Sequence, residues 1–172
     1  MSLPTPAERG QGQRPHVLIV SDDLGLRLFL GEGLLLAGFW TSAIASALQV
    51  LEVFRLRSFD LVLVDAGLAG IGGLELVRRL RGRSGRAGAP RTDVPILLVT
   101  DDPATLDPAV AREAGADGVV AAPIELADLA PRLSDVVYAW RAAHPGRPFA
   151  DAATLDPGRG GGRPTTASDP SG

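Results

Sequence analysis

His16-Val17-Leu18-Ile19-Val20 runs directly into Ser21-Asp22-Asp23, so a short β-branched apolar run stops on a polar, acidic cluster. A continuous run of this kind, without polar alternation, is expected of a strand buried on both faces, as in a parallel sheet. The pattern recurs twice. Leu61-Val62-Leu63-Val64 stops on Asp65, and Ile96-Leu97-Leu98-Val99 stops on Thr100-Asp101-Asp102. Weaker strand candidates lie at 40–43 and 118–121, the latter running into Ala122-Pro123.

Helical patterns fall between these runs, at 24–37, 47–57, 74–81, 108–114 and 126–141. Gly38 and Gly115 stand where a helix hands over to a left-handed residue. Asp107-Pro108 reads as an N-cap followed by proline at the first helical position. Pro131 lies inside the last pattern, where it removes a backbone bond at a cost of roughly 3 kcal/mol, so a kink or a late helix start is expected. Five strand–helix repeats specify an α/β fold, a parallel sheet with right-handed crossovers and helices on both faces. The commonest small solution is the flavodoxin-like doubly wound order 2-1-3-4-5.

The chain of 172 residues has room for one domain, expected over 15–142. Residues 1–14 and 143–172 are rich in Pro and Gly, including Gly160-Gly161-Gly162, and are expected to be disordered for want of apolar surface to bury. The glycine cluster lacks the strand-to-helix setting of a phosphate-binding loop. A net charge of −3 gives no general attraction to nucleic acid or to anionic membranes. Cysteine is absent, and only His16 and His144 supply imidazole, which excludes thiolate sites and argues against zinc. No stretch approaches the roughly 20 apolar residues of a membrane helix. Without an apolar signal region in 1–14, a cytoplasmic protein is expected.

Ligands of open α/β sheets bind beyond the carboxyl ends of the strands. Strands one, three and four are neighbours in the expected order, so Asp22, Asp65 and Thr100 should converge on one crevice. Two nearby carboxylates repel unless a cation or a shared proton intervenes. Oxygen-only ligands suit Mg²⁺, which typically takes one or two carboxylates together with phosphate oxygens. An aspartate beside Mg²⁺ can attack phosphorus and form an acyl phosphate, while a threonine hydroxyl donates to a phosphoryl oxygen. Asp23, Asp102 and Asp107, taken singly, read as helix N-caps.

These motifs resemble the receiver domain of two-component response regulators, the chemotaxis-regulator fold. The resemblance covers about 15–142. Val17 to Asp23 with Arg27 is similar to the first strand and acidic cluster, and Phe59-Asp60-Leu61-Val62-Leu63-Val64-Asp65 to the run ending in the phosphoacceptor. Gly70-Ile71-Gly72-Gly73-Leu74-Glu75-Leu76 resembles the loop and helix that follow. Pro95 to Thr100 matches the strand ending in the switch hydroxyl, and Ala114-Gly115-Ala116-Asp117-Gly118 with Ala122-Pro123 the approach to strand five and its end. The resemblance implies that Asp65 accepts a phosphoryl group from a histidine kinase or phosphotransfer protein and that Asp22, with Asp65, binds Mg²⁺. It implies that Thr100 reports phosphorylation to a downstream protein through the face of helix four, strand five and helix five. It also implies a cis Ala122–Pro123 bond.

Departures from the pattern bear on that chemistry. Ser21 replaces the first acid, Ala122 stands where a lysine is expected, and Asp101 replaces the small residue after the threonine; Ala69 replaces a frequent proline. No lysine elsewhere can substitute, because the chain has none. Losing one charge-assisted contact is worth roughly 1.5–3 kcal/mol, about one to two orders of magnitude in an equilibrium. Slow, weak or absent phosphorylation is therefore expected even with Asp65 present. Three readings result: a stand-alone divergent receiver that signals by binding a partner, a pseudo-receiver that never carries phosphate, and a flavodoxin-like cofactor domain. The acidic strand ends oppose the third, because phosphate-bearing cofactors need donor-rich loops there. No DNA-binding domain is visible.

Two other features are surface expectations. The arginines at 78, 79, 81, 83, 86 and 91 read as a solvated face or an acidic-partner dock, and 82–93 as a mobile loop. Tyr138 and Trp140 would leave an exposed patch suited to homodimerisation.

Overall fold

The computed structural model describes residues 14–84 and 87–150. Five parallel strands, β1 (His16–Val20), β2 (Trp40–Ile44), β3 (Leu61–Asp65), β4 (Ile96–Thr100) and β5 (Gly118–Ala121), form one sheet in the order β2-β1-β3-β4-β5. Helices α1 (Leu24–Leu36), α2 (Ala47–Leu56), α3 (Gly73–Leu80), α4 (Pro108–Ala114) and α5 (Leu126–Ala143) connect or follow them. This is the expected doubly wound fold.

Side chains of successive strand residues point to opposite faces, and each face here is an apolar core. Val17, Ile19, Leu61, Leu63, Leu97 and Val99 pack with Leu30 and Leu34 of α1 and Leu129, Leu133 and Val137 of α5. Leu18, Val20, Val62, Val64, Ile96 and Leu98 pack with Val50 of α2, Leu76 and Leu80 of α3, and Ala111 and Ala114 of α4. The three central strands β1, β3 and β4 are thus dry on both sides, which is why they read as unbroken apolar runs.

The helix signals act as anticipated at several ends. Asp23 caps α1 through Leu26 N–H (2.9 Å), and Asp107 caps α4 through Ala109 N–H (2.8 Å). Gly115 closes α4 at φ +111°, a left-handed conformation that glycine adopts at little cost. Asp102 is not a helix cap: its Oδ1 accepts from Ala104 N–H (2.9 Å) in a turn ahead of α4.

Four expectations change. The last helix does not start late at Pro131; it runs unbroken from Leu126 through it. Pro131 is exposed, while Leu129, Leu133 and Val137 on either side are buried. Burying each is worth about 1.5–3 kcal/mol, enough to outweigh one lost backbone bond.

The structured body also extends past 142. Ala143 ends α5, and the following residues fold back so that Ala150 N–H donates to both carboxylate oxygens of Asp60 (3.1 and 3.3 Å). Residues 1–13 and 151–172 lie outside the described residues.

The arginine run is not simply a solvated face. Arg81 is largely buried, its Nε and Nη1 donating to the Gly115 and Thr92 carbonyls and its Nη2 to Asp117, each at 2.9 Å. The connection over 82–93 is pinned at its far end by the Arg81–Thr92 contact and by Thr92 N–H on Leu80 O (2.8 Å); Gly85 and Arg86 lie outside the described residues.

Trp140, finally, is not an exposed dimer patch. Its indole N–H donates to Asp93 O (2.9 Å), and its ring stacks on His144 with centroids 4.1 Å apart. Tyr138 is half-buried.

Candidate functional site

The register brings the anticipated residues to one edge. Val20 pairs with Val64 and Asp65 with Val99, so Ser21, Asp65 and Thr100 end adjacent strands β1, β3 and β4. Asp22 follows Ser21 in the exposed loop before α1.

Asp65 is half-buried, and both of its carboxylate oxygens are engaged. Ser21 Oγ–H donates to Oδ2 at 2.6 Å, and Gly67 N–H donates to Oδ1 at 2.9 Å. Ser21 is fully buried; its hydroxyl also accepts from Asp23 N–H (3.1 Å), and its own N–H donates to Ile44 O (3.1 Å). The residue standing in for the first acid therefore gives Asp65 a neutral donor. That removes the like-charge repulsion two adjacent carboxylates would suffer.

Gly73 packs against the backbone of Asp65. A Cβ there would lie 2.3 Å from the Asp65 carbonyl oxygen, so only glycine lets the start of α3 pack this close. The motif ending Gly72-Gly73 earns its composition by that contact.

Thr100 is buried at the end of β4, and its hydroxyl donates to Asp102 O (3.0 Å) while accepting from Asp102 N–H (3.2 Å). It is thus turned into its own loop. Asp101 is exposed beside it. Ala122 N–H donates to Thr100 O (2.9 Å), and the Ala122–Pro123 bond is cis. Ala122 carries no cation to this edge.

Sequence reasoning placed these residues on one edge but missed two partnerships. It treated Ser21 only as a lost acid, not as a hydroxyl aimed at Asp65. It also gave Arg27 no role, whereas Arg27 Nη1 donates to the Ser21 carbonyl (2.7 Å) and brings a guanidinium to the β1–α1 turn. The available signal was the position of Arg27 in the first turn of α1, just after the β1–α1 loop.

Mg²⁺ takes oxygen ligands and needs one or two protein carboxylates. Asp22 and Asp65 supply two carboxylates at one sheet edge, with a hydroxyl where a third acid would stand; among the described residues no three acidic or imidazole groups gather closely enough to form a metal site. The set fits the ion with fewer charges than a triple-acid site.

Known proteins give a consistent comparison. The curated regulatory protein VirG of Agrobacterium tumefaciens is 33% identical over 119 residues, covering 69% of this chain and 42% of VirG. The transcriptional regulatory protein TorR of Escherichia coli is 34% identical over 126 residues, covering 73% of this chain and 50% of TorR. The chain spans about half the length of these relatives. The solved receiver domain of TorR superposes with a TM-score of 0.62 at 32% identity, covering 73% of this chain and 98% of that one. The receiver domain of the sensor histidine kinase PA1611 from Pseudomonas aeruginosa, solved with magnesium coordinated in its active site cleft, shares the fold at a TM-score of 0.63 and 21% identity, over 73% of this chain and 99% of its own. A family model, the response regulator receiver domain, matches residues 17–134. With motif order, strand order and family match in agreement, this chain belongs to the receiver domain family of two-component response regulators.

Proposed function

We propose that the chain is a divergent receiver that signals by protein–protein contact, with Asp65 a slow and weak phosphoryl acceptor. The observation that carries this reading is the 2.6 Å hydrogen bond from Ser21 Oγ–H to Asp65 Oδ2. It keeps the carboxylate in place, as an acceptor requires. It also lowers the electron density on the oxygen that must attack.

In the transfer, an Asp65 oxygen would form the new P–O bond as the donor's bond to phosphorus breaks, leaving an acyl phosphate. The donor would be a histidine kinase or phosphotransfer protein. Asp22 and Asp65 would hold Mg²⁺, which when bound offsets the charge on the phosphoryl oxygens. Thr100 would leave Asp102 and donate to a phosphoryl oxygen, carrying the change to the face of α4, β5 and α5, where a downstream protein would dock. Ala122 supplies no countercharge, and Asp101 adds a negative one at the mouth. Both retard the reaction.

A second reading, a pseudo-receiver that is never phosphorylated, draws on the Thr100 hydroxyl being already bonded within its own loop. Intact mass measurement after incubation with Mg²⁺ and acetyl phosphate separates the two. An adduct of one phosphoryl group that disappears in Asp65→Asn supports the first. No adduct, with no heat on Mg²⁺ titration, supports the second.

A further inference from the structure

At the far edge of the sheet from Asp65, the amino ends of the strands open onto a cleft of about 560 Å³. Four arginines border it, Arg57, Arg81, Arg91 and Arg147, against two acids, Asp60 and Asp93. Counting Asp117, which pairs with Arg81, the arginines of the cleft exceed the acids by one positive charge.

The charged groups divide into those already engaged and those free. Arg147 pairs with both oxygens of Asp93 (3.1 and 2.9 Å), and Arg81 is tied to Asp117 and two carbonyls. Asp60 accepts from the backbone N–H groups of His16 (2.7 Å) and Ala150. Arg57 and Arg91 form no ion pair among the described residues, and Arg57 Nη1 is buried with no hydrogen-bond partner. A buried guanidinium nitrogen left unpaired is costly and uncommon. What satisfies it is an acceptor, and in a cleft with surplus positive charge an anionic one. Guanidinium forks match phosphate and carboxylate oxygens in particular. Phe54 and Trp140 add apolar wall, and the volume lies within the range of small-molecule sites, about 300–1,000 Å³.

We propose that this cleft binds a small organic phosphate, its phosphoryl group paired with Arg57 and Arg91 and its apolar body against Phe54 and Trp140. A modest swing of the Arg57 side chain gives Nη1 the partner it lacks.

The test is an amide-resolved NMR titration of the whole chain with phenyl phosphate and, separately, inorganic phosphate. Saturable shifts should centre on residues 57–60, 91–93 and the Trp140 indole, with phenyl phosphate binding more tightly. Arg57→Gln and Arg91→Gln should each weaken binding at least tenfold, the scale of one lost charge-assisted contact. Arg112→Gln, on the exposed side of α4, should leave it unchanged. Thermal melts identify any variant that fails to fold, and the two arginine variants serve as independent checks. Overturning results are no shifts at about 10 mM of either probe, a concentration that only the weakest complexes need; equal affinity for the two probes; shifts centred on the Asp65 edge; or affinity that survives both variants.

Discussion

The two edges of one sheet are organised on opposite principles. At the carboxyl edge, Asp65 has a hydroxyl and a backbone N–H as partners, Asp22 stands exposed nearby, and Ala122 takes the place of the lysine. At the amino edge, guanidinium groups, aromatic rings and a returning segment of chain interlock around Asp60 and Trp140. The carboxyl edge is small, polar and lightly tied. The amino edge is cross-linked by side chains and belongs to the stability of the fold. Substitutions that cut the side-chain ties of the amino edge should therefore cost the most stability, and those at the carboxyl edge less.

The largest stability effect is expected at Arg81. Arg81→Ala removes three contacts to Gly115, Thr92 and Asp117 and leaves two carbonyls without their donor. A loss of about 2–4 kcal/mol is expected in urea unfolding, with Mg²⁺ binding unaffected. A loss below about 0.5 kcal/mol, the size of an ordinary surface change, would break the contrast between the edges.

Acid should act through the same edge. His16 is buried, with its Nε2 2.8 Å from Ser42 Oγ, and burial followed by the nearby Arg57 charge lowers its pKa to about 4. Between its ordinary value near 6.5 and that value, the unfolded chain takes up a proton that the folded chain refuses. Stability is thus full above about pH 6.5 and falls as pH drops towards 4, by roughly 3 kcal/mol at about 1.4 kcal/mol per pH unit. Asp60 acts in the opposite sense, because burial raises its pKa and the folded state protonates first. His16→Gln should flatten the acid limb of a melting-temperature profile; an unchanged limb would remove His16 from the explanation.

Gly73→Ala sits at the carboxyl edge and tests whether packing there is as permissive as its light bonding suggests. Its Cβ would meet the Asp65 carbonyl at 2.3 Å, so α3 or β3 must shift, at about 1–3 kcal/mol. Amide shifts should concentrate around Asp65. Ser21→Ala is the mildest change: it removes one donor from Asp65 at about 1 kcal/mol, visible as a small fall in the urea midpoint.

Much of this was legible in the chain. Strands buried on both faces leave no polar alternation, so β1, β3 and β4 announced themselves, and the acids at their ends marked the edge. What was not legible depended on distant partners. The Pro/Gly-rich stretch after α5 reads as unable to order itself, yet Asp60 supplies acceptors for Ala150 from 90 residues away. An arginine among arginines reads as surface, yet Arg81 meets Asp117 across the α3–β5 gap. Pro131 reads as a helix breaker, a local penalty that the buried leucines beside it outweigh. Ser21 reads as an absence because a motif records which acid is missing and not where the replacement hydroxyl points.

The most direct measurement is the rate of phosphoryl incorporation from acetyl phosphate with Mg²⁺, followed by intact mass, in the native chain and in Ser21→Asp/Ala122→Lys. Restoring the acid and the cation should accelerate the reaction by roughly ten- to a hundredfold, the worth of a charge-assisted contact, with all of the adduct lost when Asp65→Asn is added. A native chain that is modified as fast as the double variant would contradict the claim that Ser21 and Ala122 hold this acceptor back.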